Sequence, residues 1–466
     1  MSGAPVEVDA AAIGTGQATP ALATALASRG ESVVVFERGL VGGSCVNVGC
    51  TPTKTLRKTA RVAHLARRAS DFGVHVGDVR VDVAAAMMRV QAIVAASRTG
   101  LTSWISGAAG VELVHGDARL DGRAGDRFVV RSHDRTWLAA RVYLNVGTRP
   151  ALPPVPGLAD ASPLTNETIL ALREAPAHLV IIGGSYIGLE FAQIFRRLGS
   201  AVTVLEGSRA VASREDPDIS ARIAAMLEAE GVCIHAGVRI ERVSRGDDGG
   251  VTLTLGDGLA PVTGSHLLAA TGRTPNTAGL GLESVGVTLD AQGYVPVNGA
   301  LATNITGIWA LGDVNRRGAF THTSWQDHDI VLANHIGGSR TADGRITTYA
   351  MYTDPPLGRV GMSERDAREA MADGRRFLVV RQEMAKVSRA KEEGETTGVI
   401  SVLVDAATDR FVGISMLGIG ADEIVQVIAA MIAADAPYQV VRDFLPIHPT
   451  VTEFFPTMLQ RLEPFS

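Results

Sequence analysis

One pattern occurs twice in this chain, and it constrains the fold more than anything else. Residues 10–38, AAAIGTGQATPALATALASRGESVVVFER, run as an apolar strand, a glycine turn, a helix, a glycine break and a second apolar strand that ends in Glu. Residues 179–207, LVIIGGSYIGLEFAQIFRRLGSAVTVLEG, repeat the same layout. Val-rich strands without polar alternation are buried on both faces, and two such strands joined by a helix of this length form a parallel βαβ unit. Two α/β domains of the Rossmann-like, nucleotide-binding kind are therefore expected.

The turns carry the chemistry. In the first unit Gly14, Gly16 and Thr19 hold the GxGxxG positions, and Glu37 follows at the end of the second strand. The first two glycines let backbone N–H groups at a helix N-terminus approach a pyrophosphate, and the carboxylate accepts from ribose hydroxyls. Thr19 stands where Gly or Ala usually lets helix pack on strand, so slightly wider packing is expected there. The second unit has Gly183, Ser185 and Gly188, with Glu206 closing its next strand. Ser185 is tolerable in the middle position if its side chain turns away from the phosphates. Glu206 would repel a 2′-phosphate and favours NADH, whereas Arg209 and Arg214 would attract one, so these residues pull the nicotinamide preference in opposite directions.

At 466 residues the chain needs several cores. The Pro-rich stretch RPALPPVPGL, residues 149–158, can continue neither a helix nor a central strand and reads as a linker. A turn-rich stretch from Gly272, GRTPNTAGLGL, ends the inserted domain. The expected division is a first domain over 1–150, a second over 151–273, a return to the first over 274–345, and a C-terminal unit over 346–466. In that last unit, strands GVISVLVD and FVGISMLG precede the helical run ADEIVQVIAAMIAADA, which indicates an α+β arrangement.

Hydrophobic residues make up 46% and charged residues 20%, and no stretch approaches the ~18 uninterrupted apolar residues that a membrane helix needs. The net charge of −5 is small, with Lys and Arg dispersed, so neither a membrane nor a nucleic acid is an expected partner. No basic-then-apolar leader precedes the first glycine motif, which favours a cytoplasmic setting. The three cysteines cannot build a secreted disulfide framework. Cys45 and Cys50 have four residues between them in GGSCVNVGCTPTK, just before Pro52 and a helical run from Thr53 toward Ala69. A helix N-terminus lowers a nearby thiol pKa and the thiolate is the reactive form, so the pair reads as redox-active. Zinc is the main rival, but a structural site needs four ligands and there is no second Cys pair, so no metal is expected. Cys233, in GVCIHAG, reads as a small buried hydrophobe.

Taken together these segments resemble the class I pyridine nucleotide-disulfide oxidoreductases, the group that includes dihydrolipoamide dehydrogenase, glutathione reductase and mercuric reductase. The resemblance runs nearly end to end, through GGSCVNVGCTPTK, GGSYIGLEFA, ATGRTPN, ALGDV and HPTVTE in the family's order. It implies an FAD domain, an NAD(P) domain and a C-terminal dimerisation domain, and a homodimer whose active sites take groups from both subunits. By the same resemblance Cys45 is the interchange thiol that attacks substrate, and Cys50 is the thiol that faces the flavin. Lys54 and Glu190 form the ion pair near flavin N5, and Tyr186 is the aromatic gate displaced by nicotinamide. Asp313 holds the ribityl chain. Arg38, Gly43, Ser44, Ala118, Gly147 and Gly312 complete the FAD site, and Ile187 and Gly272 join the NADH or NADPH site. His448 and Glu453 of HPTVTE serve the partner subunit's thiols as an acid–base pair.

Departures from the family pattern narrow the substrate. Val146 replaces a common Thr in NVGTRP, and Thr51 replaces the commoner Ile or Val, a change frequent in mercuric-reductase-like relatives. AFTHTSWQD and YTDPPLGRVG resemble those relatives too. Mercuric reductases, however, carry a further C-terminal Cys pair and an N-terminal metal-capturing domain, and TMLQRLEPFS has no cysteine, so mercury is not the expected acceptor. The leading expectation is reduction of a small-molecule disulfide or thiol-linked substrate. The alternatives are a metal-ion or quinone reductase and a dihydrolipoamide dehydrogenase subunit of a 2-oxoacid dehydrogenase complex.

Overall fold

The computed structural model describes residues 4–247 and 249–466. In the first unit β1 (Val6–Ile13) leads through Gly14 into α1 (Thr19–Ala27) and β2 (Val33–Glu37). The cysteine motif forms α2 (Gly43–Asn47) and the start of α3 (Cys50–Arg67), after which α4 (Val83–Gly107) returns to β3 (Val111–His115). A meander of β4 (Arg119–Ala124), β5 (Arg127–Ser132) and β6 (Arg135–Leu144) brings the chain back beside β1. The sheet order is β3-β2-β1-β6-β5-β4, with β2, β1 and β6 parallel. Alternate residues serve opposite faces, as the strand period requires. Ala11, Ile13, Val34 and Phe36 enter one core, and Ala10, Ala12, Val33 and Val35 enter another beneath α1.

The chain leaves this sheet through β7 (Thr148–Pro150). The second unit is β8 (His178–Ile182), α5 (Tyr186–Leu198), β9 (Ala201–Glu206), α6 (Pro217–Ala229) and β10 (Val232–Ala236). An antiparallel layer of β11 (Ile240–Arg245), β12 (Val251–Leu255) and β13 (Val262–Gly264) follows, and β14 (His266–Ala269) completes the parallel order β10-β9-β8-β14. Then β15 (Arg273–Pro275) pairs antiparallel with β7, so the outgoing and returning connections form one two-stranded ribbon. The Pro-rich stretch thus begins in a short strand; Pro150 is allowed because the ribbon has only one neighbour for each strand.

On its return the chain adds β16 (Ile308–Ala310) parallel to β6 and lays α7 (Thr321–His335) against α1. The C-terminal unit contains β17 (Thr348–Met351), β18 (Leu357–Gly361), α8 (Glu364–Ala372), β19 (Phe377–Glu383), α9 (Ser388–Glu392), β20 (Val399–Asp405) and β21 (Arg410–Leu417). It ends with α10 (Ala421–Ala433), α11 (Gln439–Arg442), α12 (Phe454–Leu459) and β22 (Glu463–Pro464). Its antiparallel sheet runs β17-β18-β21-β20-β19-β22, with α10 packed on β18 and β21. Among the described residues no helix is long and apolar enough to cross a membrane.

Two local expectations change, and Thr19 gains a partner. The helix after the cysteine pair spans Cys50–Arg67, not Thr53 to Ala69, because Pro52 sits in the first turn, where its missing N–H has no intrahelical partner to lose. Thr19 is buried between helix and strand, and its hydroxyl donates to the Gly14 carbonyl at 2.8 Å. Cys233 is exposed, not buried. It lies on the edge strand β10, on the same side as His235, whose Nε2 is 3.3 Å from its sulfur, while Val232 takes the core position.

The three units meet at a buried ion cluster. Asp354, in the middle of the β17–β18 connection, pairs with Arg61 of α3 and with Arg197 of α5, the latter at 2.5 Å. Arg197 also grips Glu230 at 2.7 Å, and Gln193 closes two hydrogen bonds with the Asp354 backbone, at 2.8 and 2.7 Å. Removing one member of such a cluster strands buried charge. Asp354→Ala is therefore expected to cost about 3 kcal/mol or more, read as a lower thermal or denaturant midpoint. Asp354→Asn, which keeps an acceptor for Arg197, should lose less.

Candidate active site

Both glycine turns open into one cleft of about 2650 Å³. A single small ligand usually occupies roughly 300–1000 Å³, so this volume suits two dinucleotides. Gly14 has φ of +91°, and a Cβ there would lie 2.5 Å from the Asn145 carbonyl oxygen. Gly183 repeats this with φ of +106° and a clash at 2.4 Å with Ala270. Only glycine permits that backbone against the neighbouring strand, which leaves the turn free for phosphates. At Gly16 a Cβ would meet the Asn145 side chain at 2.4 Å.

The two strand-end carboxylates are held alike. Glu37 accepts from the Thr15 N–H at 2.9 Å, the Thr15 hydroxyl at 2.5 Å and the Gly39 N–H at 2.8 Å. Glu206 accepts from the Gly184 and Ser208 N–H groups, each at 2.6 Å. Each is pinned beside its own glycine turn at the mouth of the cleft. Arg38, Gly43, Ser44, Ala118 and Gly147 line the first half of the cleft, and Ile187, Gly272 and Arg214 the second. Ser185 is exposed on the cleft wall as the N-cap of α5, and Gly188 packs at the base of the turn, where a Cβ would lie 2.0 Å from the Gly183 oxygen. Arg209 is exposed but is not among the lining residues.

Asp313 also faces the cleft and accepts from the Thr148 hydroxyl at 3.1 Å. Burial pushes its carboxyl pKa up, partly offset by Arg273. Behind it Gly312 donates its N–H to Asp327 at 2.7 Å, and Asn145 donates to the Leu311 carbonyl at 2.8 Å. This scaffold joins the first glycine turn to the Asp313 loop. The donor set fits FAD: a glycine cradle for its pyrophosphate and carboxylates for its ribose and ribityl hydroxyls.

Between the two halves of the cleft lie Cys45, within α2, and Cys50, at the first position of α3. Both are free thiols, and both sulfurs contact the Thr321 hydroxyl, at 3.0 and 3.2 Å. The hydrogen bond from Cys45 pulls the Cys50 pKa down to about 6, with Thr321 and Lys54 acting in the same direction against burial. Cys45 is pushed up, chiefly by that same hydrogen bond and then by burial, so it keeps its proton. One turn along α3 the Lys54 ammonium donates to Glu190 of α5 at 2.7 Å and sits 4.5 Å from the Tyr352 ring centroid. The buried Glu190 also accepts from the Tyr352 N–H at 2.8 Å.

Tyr186 stands at the start of α5 on the cleft wall. Its hydroxyl donates to Glu215, which also accepts from Tyr349 at 2.7 Å and pairs with Arg359 at 3.2 Å. Burial and then the Glu215 charge push the Tyr186 phenol pKa up. His448 lies elsewhere: its Nδ1 donates to Glu453 at 2.7 Å, its side chain is 77% exposed, and it does not line the cysteine cleft of its own subunit. Leu445 and Ile447 beside it are 94% and 79% exposed, an apolar surface of the kind that a second subunit covers. The sequence reading had no role for Thr15, Asn145, Glu215, Thr321 or Tyr349. Thr15, Asn145 and Thr321 lay within quoted segments, the first glycine turn, NVGTRP and AFTHTSWQD, whereas Glu215 and Tyr349 lay in none.

A paired dithiol, a lysine–carboxylate ion pair and two dinucleotide turns on one cleft define a flavoprotein disulfide reductase. The pyridine nucleotide-disulphide oxidoreductase family matches residues 8–327 and its dimerisation domain residues 347–459; the chain belongs to that family, which uses FAD and NAD(P)H. It is 33% identical to the probable pyridine nucleotide-disulfide oxidoreductase RclA of Escherichia coli over 95% of this chain and 96% of that one. It is 36% identical to a mercuric reductase of Streptomyces lividans over 90% and 88%. The solved structure of RclA, a HOCl-induced flavoprotein disulfide reductase, covers 97% of this chain and 99% of its own with a TM-score of 0.88 at 32% identity. LpdA of Mycobacterium tuberculosis superposes with the same TM-score at 25% identity, covering 97% and 99%.

The Cys50 shift gives a pH prediction. A thiolate held at about 6 is charged above that pH and neutral below it. The long-wavelength thiolate-to-flavin absorbance of the dithiol enzyme should therefore fall through a midpoint near pH 6 as the solution is acidified, followed anaerobically in the visible spectrum.

Proposed function

We propose that this protein is an NADH-dependent reductase of a small-molecule disulfide, with Cys45 and Cys50 as the sulfurs that exchange with substrate. The observation that carries this reading is the free dithiol set in the cleft that both glycine turns share. FAD, when bound, supplies the two-electron relay between nicotinamide and the sulfurs. Gly14, Gly16, Gly43, Ser44 and Asp313 would hold it, and Lys54 with Glu190 would orient it at the sulfur end. Tyr186 would cover the nicotinamide entrance from the side of α5.

The Cys45 thiolate attacks one sulfur of the substrate disulfide, forming a mixed disulfide and releasing one thiol. Cys50 then attacks the Cys45 sulfur, which closes the intramolecular disulfide and releases the second thiol. Two thiols leave and two protein thiols are oxidised. A proton must be taken from Cys45 and delivered to the leaving thiolate, work suited to an imidazole oriented by a carboxylate. His448 and Glu453 form such a pair, and their exposure beside apolar Leu445 and Ile447 supports their use in the partner subunit's cleft. A supply of reduced nicotinamide nucleotide supports a cytoplasmic setting.

NADH is favoured over NADPH because Glu206 is gripped in the same manner as Glu37. Glu37 would take a ribose 2′-hydroxyl of FAD, and a nucleotide with the same free hydroxyl would fit the matching carboxylate. The expected result is a kcat/KM for NADH at least ~10-fold above that for NADPH, narrowed by Glu206→Ser.

A second reading, a metal-ion acceptor, is favoured by the relatives: one is a mercuric reductase, and RclA has been solved as a Cu(II) complex. Cys45→Ser tests the choice. Disulfide turnover should vanish while reduction of bound FAD by NADH persists; metal-ion turnover that survives the substitution would refute the dithiol as the donor.

A further inference from the structure

The Thr321 hydroxyl is the one oxygen within hydrogen-bonding reach of both redox sulfurs among the described residues, 3.0 Å from Cys45 and 3.2 Å from Cys50. Its position is fixed from both sides. Phe320 stacks on Tyr349 with centroids 5.5 Å apart and on His322 at 5.4 Å, and His322 is bonded to the Thr348 carbonyl at 2.7 Å. Thr321 is also the first residue of the fifteen-residue α7, so the positive end of that helix faces the sulfurs with it. A hydroxyl has one proton, so it donates to one sulfur at a time; here it donates to Cys45, with Cys50 in reach of the same oxygen.

We propose that Thr321 is a catalytic residue of the dithiol, a hydroxyl rotor that donates to whichever sulfur carries the negative charge. With the charge at Cys50, the O–H points to Cys50, to which the Cys45 S–H also donates. When Cys45 loses its proton for attack, the O–H turns to Cys45. No electron moves and the hydroxyl keeps one proton throughout; rotation about Cα–Cβ–Oγ1–H suffices. A backbone N–H could not serve both states, because its direction is fixed.

This rests on the reading of Cys50 as the flavin-facing thiolate and Cys45 as the attacking thiol. The test uses the FAD-loaded dimer of the wild type, Thr321→Val, which keeps the shape without the hydroxyl, and Thr321→Ser, which restores it. Two quantities are read: the pH midpoint of the long-wavelength thiolate-to-flavin absorbance, and the rate of Cys45 alkylation by iodoacetamide at neutral pH. Thr321→Val should raise the midpoint by about one pH unit and slow alkylation roughly tenfold, the scale of one lost hydrogen bond to a charged group, and Thr321→Ser should recover both. An unchanged midpoint, an unchanged alkylation rate, or a Ser variant as impaired as Val overturns the rotor. If the wild type itself lacks the absorbance, the underlying assignment of Cys50 fails instead, so the two failures are distinguishable.

Discussion

The geometry of the cleft depends on the charge cluster around Asp354. The helix that carries Cys50 and Lys54 also carries Arg57 and Arg61, and the helix that carries Tyr186 and Glu190 also carries Gln193 and Arg197. Arg61, Arg197 and Gln193 converge on Asp354 of the C-terminal unit, and Arg57 reaches the neighbouring Thr353 carbonyl at 2.7 Å. Each helix is thus clamped two to three turns from its functional end. Burying these ions is costly unless all are paired, so the cluster specifies one relative placement of the three units and tolerates few others. The Lys54–Glu190 contact across the same two helices is a consequence of that placement.

Within the clamped cleft, the two sulfurs are made chemically unlike. Cys50 opens a long helix, has Lys54 one turn away and receives hydrogen bonds, so it carries charge near neutral pH. Cys45 sits in a short helix facing that charge, and a second thiolate so close is disfavoured. The proposed roles follow this difference: Cys50 on the flavin side, and Cys45 protonated until a base removes its proton. The proposed acid–base pair, His448 with Glu453 from the partner subunit, would supply that base.

Much of this was legible in the residues. The doubled βαβ pattern, the glycines of both turns and the strand-end Glu37 and Glu206 are local signals with fixed spacing, and the cysteine motif is contiguous. What escaped was set by long-range contact. Asn145 and Thr15 stiffen the first turn from a different strand and from inside the turn itself, and no spacing rule identifies them. Glu215 gains its place from a fold that brings Tyr186 and Tyr349 to one carboxylate. Cys233 was misjudged because a Val-flanked cysteine looks like a core residue unless its strand is known to lie at the sheet edge.

By itself, then, the sequence determined the domain types, the two nucleotide turns and the redox-active pair, because each follows from the backbone demands of a short contiguous segment. Only the tertiary structure decided which sulfur holds the charge, that Thr321 touches both, and that His448 and Glu453 face outward, away from their own subunit's thiols. Those properties arise from contacts between residues hundreds of positions apart, where distance and burial set the electrostatics and spacing along the chain carries no information.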